Sequence, residues 1–404
     1  MSVGLIEPEN LLPVKGIRLA AVAAGIKKNQ NSDLVLIELA SDSSCAAVFT
    51  KNIFCAAPVT LAKQHLEVAT PRYLLINSGN ANAGTGQQGM KDAVSSCELV
   101  AKQTDCKVNE VLPFSTGVIG ENLPVDKISA AIPGAFKLLA EDNWISAGHG
   151  IMTTDTKLKG VSRQLELQGK TVTITGLSKG AGMIQPNMAT MLSYIATDAA
   201  IEQSLLQECL QGAANLSFNS ITVDSDTSTN DACVLMATGH SGNEKIVEKN
   251  DDYYKLYNAL KDVCLYLAQA IIRDAEGATK FVTIEVASSE SIEDARQVAY
   301  TVAHSPLVKT ALFACDPNWG RILAAVGRAG VEFDIDAIKI YLNDVCIVSN
   351  GGRDSAYTEE QGQQVMNQQD ILIRIELNTG SEQARIWTSD LSYDYVKINS
   401  EYRS

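Results

Sequence analysis

The sequence predicts an α+β fold in which helices cover stacked mixed sheets. Two observations support this prediction. Stretches with strand-like alternation and longer stretches with helical periodicity both occur, but they do not follow a strict strand, helix, strand order. A purely parallel sheet requires that order, because each crossover between parallel strands needs its own connection, usually a helix. Mixed sheets with helices on their outer faces therefore fit the pattern better.

The strand assignments rest on short apolar segments bounded by turn residues. The clearest is a hairpin over 161–175, where Leu165 and Leu167 alternate with polar neighbours. The turn follows at Gln168-Gly169-Lys170, and the alternation resumes at Val172 and Ile174. Further strands are predicted at 34–39, 72–77, 281–286, 338–342 and 371–377.

The helix with the strongest periodicity covers 252–274. Its apolar positions, from Tyr253 to Ile271, are separated by steps of three and four residues, which places them on one face. That face must pack against other elements. Further helices are predicted at 89–103, at 125–141 with an interruption at Pro133, at 292–303 and at 321–329.

Composition excludes several classes of partner. With 404 residues, 46% hydrophobic and 20% charged, the chain is long and apolar enough to fold as a globular protein. The net charge of −14 disfavours nucleic acids and anionic membranes. The apolar run at 19–26 is too short to span a bilayer, and the start lacks a secretory signal, so a cytoplasmic location is predicted. Nine scattered cysteines without CxxC and four isolated histidines predict free thiols and no metal site.

The densest group of special residues is SKGAGMIQPNMATMLSYIAT, at 178–197. A glycine-rich loop carrying Lys179 leads through Pro186 to Ala189-Thr190 and then to an apolar, strand-like segment. A small residue before a hydroxyl residue suits an N-to-O acyl shift followed by hydrolysis of the ester. Cleavage would give Thr190 a free α-amine as its own base. On pattern alone, an ordinary strand start remains the commoner interpretation.

A second candidate is PFSTGVIG, at 113–120, where Thr116 and Gly117 are expected in a tight turn. A glycine amide and a threonine can donate hydrogen bonds to an oxyanion, although a surface turn is the more frequent meaning of such a string. TTDT at 153–156 and DAEGATK at 274–280 are equally compatible with a helix cap and a helix end. The GTGQQG string at 84–89 matches a dinucleotide fingerprint formally, but NSGNANA separates it from the preceding strand.

Taken together, these strings resemble the glutamate N-acetyltransferase family, also called the ornithine acetyltransferase family. The resemblance extends over essentially the whole chain. The motifs that carry it occur in the family's order: NSGNANA, STGVIG, MTTDT, SKGAGMIQPNMATML, DAEGATK, DPNWGR and the final KINSEYRS. It implies a stacked αββα sandwich, similar in shape but not in connectivity to N-terminal nucleophile hydrolases. It also implies self-cleavage into chains of residues 1–189 and 190–404, which associate as a heterotetramer.

The resemblance also implies roles for individual residues. Thr190 matches the nucleophile, with Ala189 before the cleaved bond, and Thr116 and Gly117 match the oxyanion hole. The positions that match substrate contacts are Thr153, Lys179, Thr190, Glu276, Asn399 and Ser404. Lys179 is expected to pair with a substrate α-carboxylate and Glu276 with an ammonium group. The family commonly ends in Thr where Ser404 stands, and commonly has Cys where Gly84 stands.

The implied reaction is acetyl transfer from N-acetylornithine to glutamate through acetyl-Thr190, with no cofactor. Some members of the family also accept acetyl-CoA as the donor, and the sequence leaves open whether this chain does. An aminopeptidase or amidohydrolase of similar architecture, in which water resolves the acyl-enzyme, is the alternative enzyme. A protein that binds metabolites without catalysis is a third interpretation, and it requires that the chain stay whole.

Overall fold

The computed structural model describes residues 2–185 and 191–401. Within these residues the strands are β1 Ile17–Val22, β2 Leu34–Leu39, β3 Ser44–Phe49, β4 Tyr73–Asn80, β5 Val111–Val118, β6 Lys159–Leu167, β7 Lys170–Lys179, β8 Leu192–Thr197, β9 Ala232–Ala237, β10 Phe281–Ser289, β11 Lys339–Leu342, β12 Val345–Ser349, β13 Gly352–Arg353, β14 Asp370–Glu376 and β15 Glu382–Ser389.

The α-helices of the same residues are α1 Ala57–Val68, α2 Gly86–Ala101, α3 Val125–Lys137, α4 Trp144–Ile151, α5 Gln203–Leu216, α6 Asp251–Arg273, α7 Ile292–Ala303, α8 Pro306–Phe313, α9 Trp319–Gly327, α10 Glu359–Met366 and α11 Tyr393–Ser400. Short 3₁₀ turns cover Val108–Glu110 and Phe218–Ser220. None of the helices in the described part combines the length and apolar content that crossing a membrane requires.

Two sheets stack face to face in the first part of the molecule. One has the strand order β1-β2-β4-β5 and the other β3-β9-β8-β7-β6. Their inner faces share one apolar core, in which the rings of Phe114 and Tyr194 meet edge to face with centroids 5.4 Å apart. Because both inner faces are apolar, burying them against each other removes both from water.

Helices cover both outer faces of this sandwich. Residues of α2 and α3 pack on the four-stranded sheet, and residues of α5 and α6 pack on the five-stranded sheet. The α6 stripe predicted from Tyr253 to Ile271 is buried, and the Asn250 side chain accepts a hydrogen bond from the Tyr253 amide at the helix start. The predicted αββα sandwich is therefore confirmed.

A third sheet, in the order β13-β12-β11-β14-β10-β15, forms a separate apolar core with α7 to α10. The predicted strands at 281–286, 338–342 and 371–377 all belong to it. It joins the sandwich through a bridge between Ile221 and Trp387, where the Thr222 amide donates to the Trp387 carbonyl at 3.0 Å. The sequence pattern predicted three of its six strands, but not their separation into a sheet of their own.

The predicted interruption of the helix at Pro133 is wrong, because α3 runs through it to Lys137. Proline removes the hydrogen bond to the carbonyl four residues earlier, here that of Ser129. Both Pro133 and Ser129 lie on the exposed side of the helix, where water can hydrogen-bond to the freed carbonyl. The hairpin turn was predicted correctly: Gln168 and Gly169 both have positive φ, as a two-residue type I′ turn requires.

Candidate active site

A cavity of about 250 Å³ opens where segments distant in the sequence converge. Six residues that the sequence singled out line it: Thr116, Gly117, Thr153, Lys179, Glu276 and Asn399. They come from β5, the loop after α4, the end of β7, the loop after α6, and α11. The structure therefore brings together every predicted site residue that it describes. Ala189, Thr190 and Ser404 lie outside the described residues.

Thr116 and Gly117 form one wall of the cavity. The prediction that they lie in a tight turn is wrong: they belong to β5 and pair with Ser78 and Gly79 of the parallel strand β4. Gly117 has φ +136°, and a methyl group there would come within 2.3 Å of the Gly79 carbonyl carbon. Only glycine fits this close approach of the two backbones without strain.

Asparagine side chains, rather than a turn, hold this wall in place. Asn230 lines the cavity and donates to the carbonyls of Ala81 at 2.7 Å and Ser115 at 2.9 Å. The Ser115 hydroxyl donates to the Asn77 side chain at 2.6 Å. Sequence reasoning missed Asn230. The signal was the polar run TSTND at 227–231, placed directly before an apolar strand.

The GTGQQG string has a structural role. Strand β4 extends to Asn80 instead of ending at 77, so the loop to α2 is shorter than the sequence suggested. Its interior is filled by Asn82, which donates to the Gly89 carbonyl at 2.9 Å and accepts from the Thr85 hydroxyl at 2.9 Å. These hydrogen bonds join the start of the loop to the first turn of α2, which gives the glycines of the string a role within the fold.

Lys179 places a buried ammonium group in the cavity. It is the last residue of β7, not part of a loop as predicted, and it is only 3% exposed. Its Nζ donates to the Thr116 hydroxyl oxygen at 3.1 Å. Burial lowers the pKa of Lys179, because a charged amine loses its hydration, and the nearby Asp155 only partly opposes this.

Below the cavity lies a fully buried ion triad. Lys159 Nζ donates to Asp155 and to Asp274, both at 2.7 Å, and the three side chains are at most 1% exposed. Asp155 also accepts the amides of Thr153 at 3.0 Å and Gly180 at 2.7 Å. The triad thus connects three loops that carry cavity residues, and sequence analysis assigned it no role.

Glu276 and Asn399 close the opposite side. Glu276 follows the end of α6, and its amide donates to the Ala181 carbonyl at 2.9 Å. The Asn399 side chain, on α11, donates to the Glu276 carboxylate at 2.8 Å. DAEGATK is therefore both a helix end and part of the cavity. An ammonium group and a carboxylate on one cavity complement a small ligand that carries both charges.

The strand that follows the predicted nucleophile begins next to this cavity. Met191 precedes β8, whose first residue pairs with Lys179 of β7 on one side and with Ala232 of β9 on the other. The Met191 amide donates to the buried carboxyl of Asp231 at 2.9 Å. Within the described residues, no group of three histidine, cysteine or acidic side chains is arranged to hold a metal ion.

The fold and the cavity define the class of protein: an enzyme built on an αββα sandwich, with its site at the strand ends. The model of the ArgJ family matches residues 18–404, and the chain belongs to that family. The family resemblance inferred from the motifs is thereby confirmed.

Two relatives match this chain over nearly its full length, and one solved chain matches half of it. The chain is 55% identical over 406 residues to the arginine biosynthesis bifunctional protein ArgJ of Pseudomonas syringae pv. tomato, covering 100% of both chains. It is 55% identical to the ArgJ protein of Methylococcus capsulatus, covering 98% of this chain and 97% of the relative. A solved chain of ArgJ from Bacillus halodurans is 38% identical and covers 50% of this chain and 95% of its own, with a TM-score of 0.48.

Proposed function

We propose that this protein transfers an acetyl group from N-acetylornithine to glutamate in arginine biosynthesis, using Thr190 as the nucleophile after cleavage of the Ala189–Thr190 bond. The observation that carries the proposal is the convergence of Thr116, Gly117, Lys179 and Glu276 on one cavity beside the start of β8. The names of the full-length relatives, arginine biosynthesis bifunctional proteins, support the pathway.

Maturation comes first in this proposal. The Thr190 hydroxyl attacks the Ala189 carbonyl carbon, the peptide nitrogen leaves, and water hydrolyses the resulting ester. The products are a carboxylate on Ala189 and a free amine on Thr190. A threonine hydroxyl is a weak nucleophile, and an α-amine on the same residue is well placed to take its proton.

Hydrogen bonds across the five-stranded sheet favour association of the two cleaved chains. Strands β3, β6 and β7 precede the proposed cleavage site, whereas β8 and β9 follow it, and β8 pairs with β7 while β9 pairs with β3. Separating the chains would break these ladders and expose the shared core. We propose a heterotetramer of two such pairs, which light scattering of the purified protein can check.

Substrate orientation follows from the two charges of the cavity. Ornithine and glutamate both carry an α-carboxylate, and Lys179 offers a buried ammonium group whose Nζ donates to the Thr116 hydroxyl. Glu276 is suited to the amino group at the other end of ornithine, with Asn399 orienting its carboxylate. Thr153 and Ser404 are proposed as further substrate contacts.

Acetyl transfer then proceeds in two half-reactions. Thr190 attacks the acetyl carbonyl of N-acetylornithine, its amine accepts the hydroxyl proton, and ornithine leaves with a proton on its nitrogen. Glutamate enters, and its amine attacks the acetyl ester to release N-acetylglutamate. Each tetrahedral intermediate carries an oxyanion, for which Thr116 and Gly117 are the proposed hydrogen-bond donors. The chemistry uses no cofactor, and acetyl-CoA is an alternative donor to test.

The experiment compares the wild-type protein with Thr190→Ala and Thr190→Ser. Denaturing electrophoresis follows cleavage, and ornithine release from N-acetylornithine is measured with glutamate, then N-acetylglutamate formation with acetyl-CoA as the only donor. Thr190→Ala should abolish both cleavage and transfer, while Thr190→Ser retains a hydroxyl and should retain part of both. Acetyl transfer at a normal rate by Thr190→Ala would refute the assignment. Hydrolysis without transfer to glutamate in the wild type would favour an amidohydrolase.

A further inference from the structure

Asp231 is a fully buried acid that immediately precedes β9, next to the start of β8. Its Oδ1 accepts the Met191 amide at 2.9 Å, and its side chain is shielded from solvent. Its own carbonyl accepts the Thr50 amide at 3.0 Å, so the backbone around it is held in place. Neither composition nor the motifs had marked this residue.

The second oxygen of Asp231, Oδ2, is also buried. Oδ2 has no hydrogen-bond partner among the described residues, and the nearby Ser228 hydroxyl accepts from the Asn230 amide. Burial raises the pKa of Asp231 well above its usual value, and the Met191 amide, Ser228 and Lys179 oppose this less strongly. The carboxyl group therefore favours its neutral form, with a proton available to donate.

The peptide group that Asp231 contacts is the one next to the proposed cleavage site in the sequence. The Met191 amide belongs to the peptide bond that joins residue 191 to Thr190. Three covalent bonds separate the nitrogen of Thr190 from that of Met191, so the two nitrogens are at most about 4 Å apart. An acid that hydrogen-bonds to the Met191 amide is thus one peptide unit from the nitrogen that must leave.

We propose that Asp231 is the proton donor of self-cleavage, delivering its carboxyl proton to the Thr190 nitrogen as the bond to the Ala189 carbonyl carbon breaks. This inference rests on the proposed function, since it requires that the bond be cleaved. The Thr190 oxygen forms a bond to that carbon and loses its proton, while the nitrogen gains one. Asp231 gives up one proton and takes up the hydroxyl proton, so the acid is regenerated and no other reactant is consumed until water hydrolyses the ester.

Asp155, a second buried acid near Lys179, is unsuited to this role. Its oxygens accept from Lys159 and from the amides of Thr153 and Gly180. Although burial alone would favour the neutral acid, the two neighbouring ammonium groups of Lys159 and Lys179 hold the pKa of Asp155 well below its usual value. Asp155 is therefore ionised and has no proton to donate at neutral pH.

The test follows conversion of the newly synthesised full-length chain into its two fragments by denaturing electrophoresis. Asp231→Asn keeps the size of the side chain and an oxygen that can accept from the Met191 amide, but it removes the acid. Its cleavage should be slower by about a hundredfold or more, the contribution typical of general acid catalysis. Thermal melting checks that the variant is folded.

Asp198→Asn is the matched control. Asp198 is also buried, lies just beyond the far end of β8, accepts the Thr173 amide at 2.8 Å, and has a pKa raised by burial. Cleavage of this variant at the wild-type rate shows that the effect belongs to position 231 rather than to loss of any buried acid. Equal slowing in both variants would overturn the proposal.

The pH dependence of cleavage provides a second measurement that does not require the variant to fold. The wild-type rate should fall as the pH rises through the raised pKa of Asp231, because the acid form is lost. Among the described residues, Lys179 from β7 is the charged group that acts on the Asp231 carboxyl, and Lys63 from α1 donates through its Nζ to the Thr50 carbonyl at 3.3 Å. A flat or rising wild-type profile would overturn the proposal.

The outcomes separate this inference from the function on which it rests. Wild-type protein that transfers acetyl groups without cleavage would refute the proposed function. Rapid cleavage of folded Asp231→Asn, with Thr190→Ala uncleaved, would refute the role of Asp231 alone. Slow cleavage of folded Asp231→Asn beside normal Asp198→Asn supports it.

Discussion

Two buried lysines near the cavity differ in how their charges are compensated. Lys159 is 1% exposed and donates to two carboxylates at 2.7 Å and to the Lys157 carbonyl at 3.2 Å. Lys179 is 3% exposed, and the structure gives its ammonium group the Thr116 hydroxyl as a partner. The two lysines are therefore almost equally buried, but only Lys159 is hydrogen-bonded to carboxylates.

The pKa values of the two amines are shifted in opposite directions from the ordinary value of a lysine. Burial acts to lower both, but Asp155 and Asp274 outweigh it at Lys159 and raise the pKa there. At Lys179 burial dominates, and the pKa is lowered. Removing one partner of a buried ion pair strongly destabilises a fold, whereas a buried ammonium group with few partners is suited to pair with an anion that enters the cavity. The first lysine supports the site, and the second is suited to bind a ligand in it.

The largest expected effect is a loss of stability when Lys159, which is paired with two carboxylates, is replaced. Lys159→Met leaves Asp155 and Asp274 buried without their cation and should lower the free energy of unfolding by about 3–5 kcal/mol. The control is Lys255→Met, which removes a pair with Asp252 on the surface and should cost less than about 1 kcal/mol. Urea unfolding followed by circular dichroism measures both, and equal losses would contradict the structural role of Lys159.

Removing the other lysine should affect binding rather than stability. Lys179→Met deletes a charge that burial already penalises, so the unfolding midpoint should change little. The KM for glutamate should rise by on the order of a hundredfold, because the substrate carboxylate loses its buried partner. Initial rates and thermal melting of the same preparation distinguish the two effects. A large loss of stability with unchanged KM would show that Lys179 supports the fold and does not bind the substrate.

The smallest expected effect is a shift in pH dependence when Asp155 is neutralised. Binding of a carboxylate needs charged Lys179, so affinity is present at low pH and lost as the pH rises through the lowered pKa of Lys179. Because Asp155 raises that pKa, Asp155→Asn should move the alkaline loss of kcat/KM to lower pH, by on the order of one unit. Asp274→Asn, which breaks the same triad, is the control and should not move it. An identical shift in both variants would exclude a specific effect of Asp155.

Much of the fold was predictable from local pattern. The strand at 34–39, the helix at 292–303 and the hairpin turn at Gln168-Gly169 appear as predicted, because periodicity and turn chemistry are local properties. Errors occurred where tertiary context overrides a local rule. Pro133 is accommodated on an exposed helix face, and the Thr116-Gly117 string is held extended by its pairing with β4.

The site was predictable only in part, and for a different reason. Motifs identified residues whose chemistry is distinctive, such as Lys179 and Glu276. Asn230, Lys159 and Asp231 stand in ordinary polar strings, and their importance comes from partners more than a hundred residues away or on a neighbouring strand.

The sequence by itself determined part of the strands and helices, the family, and the residue types that can perform acyl transfer. Tertiary structure alone decided that the charge of Lys159 is compensated by carboxylates whereas that of Lys179 is not. It also decided that the third sheet forms its own core and that a buried acid lies beside Met191. The physical reason is that periodicity and turn preference act over a few residues, whereas burial and charge pairing depend on distances that exist only after the chain has folded.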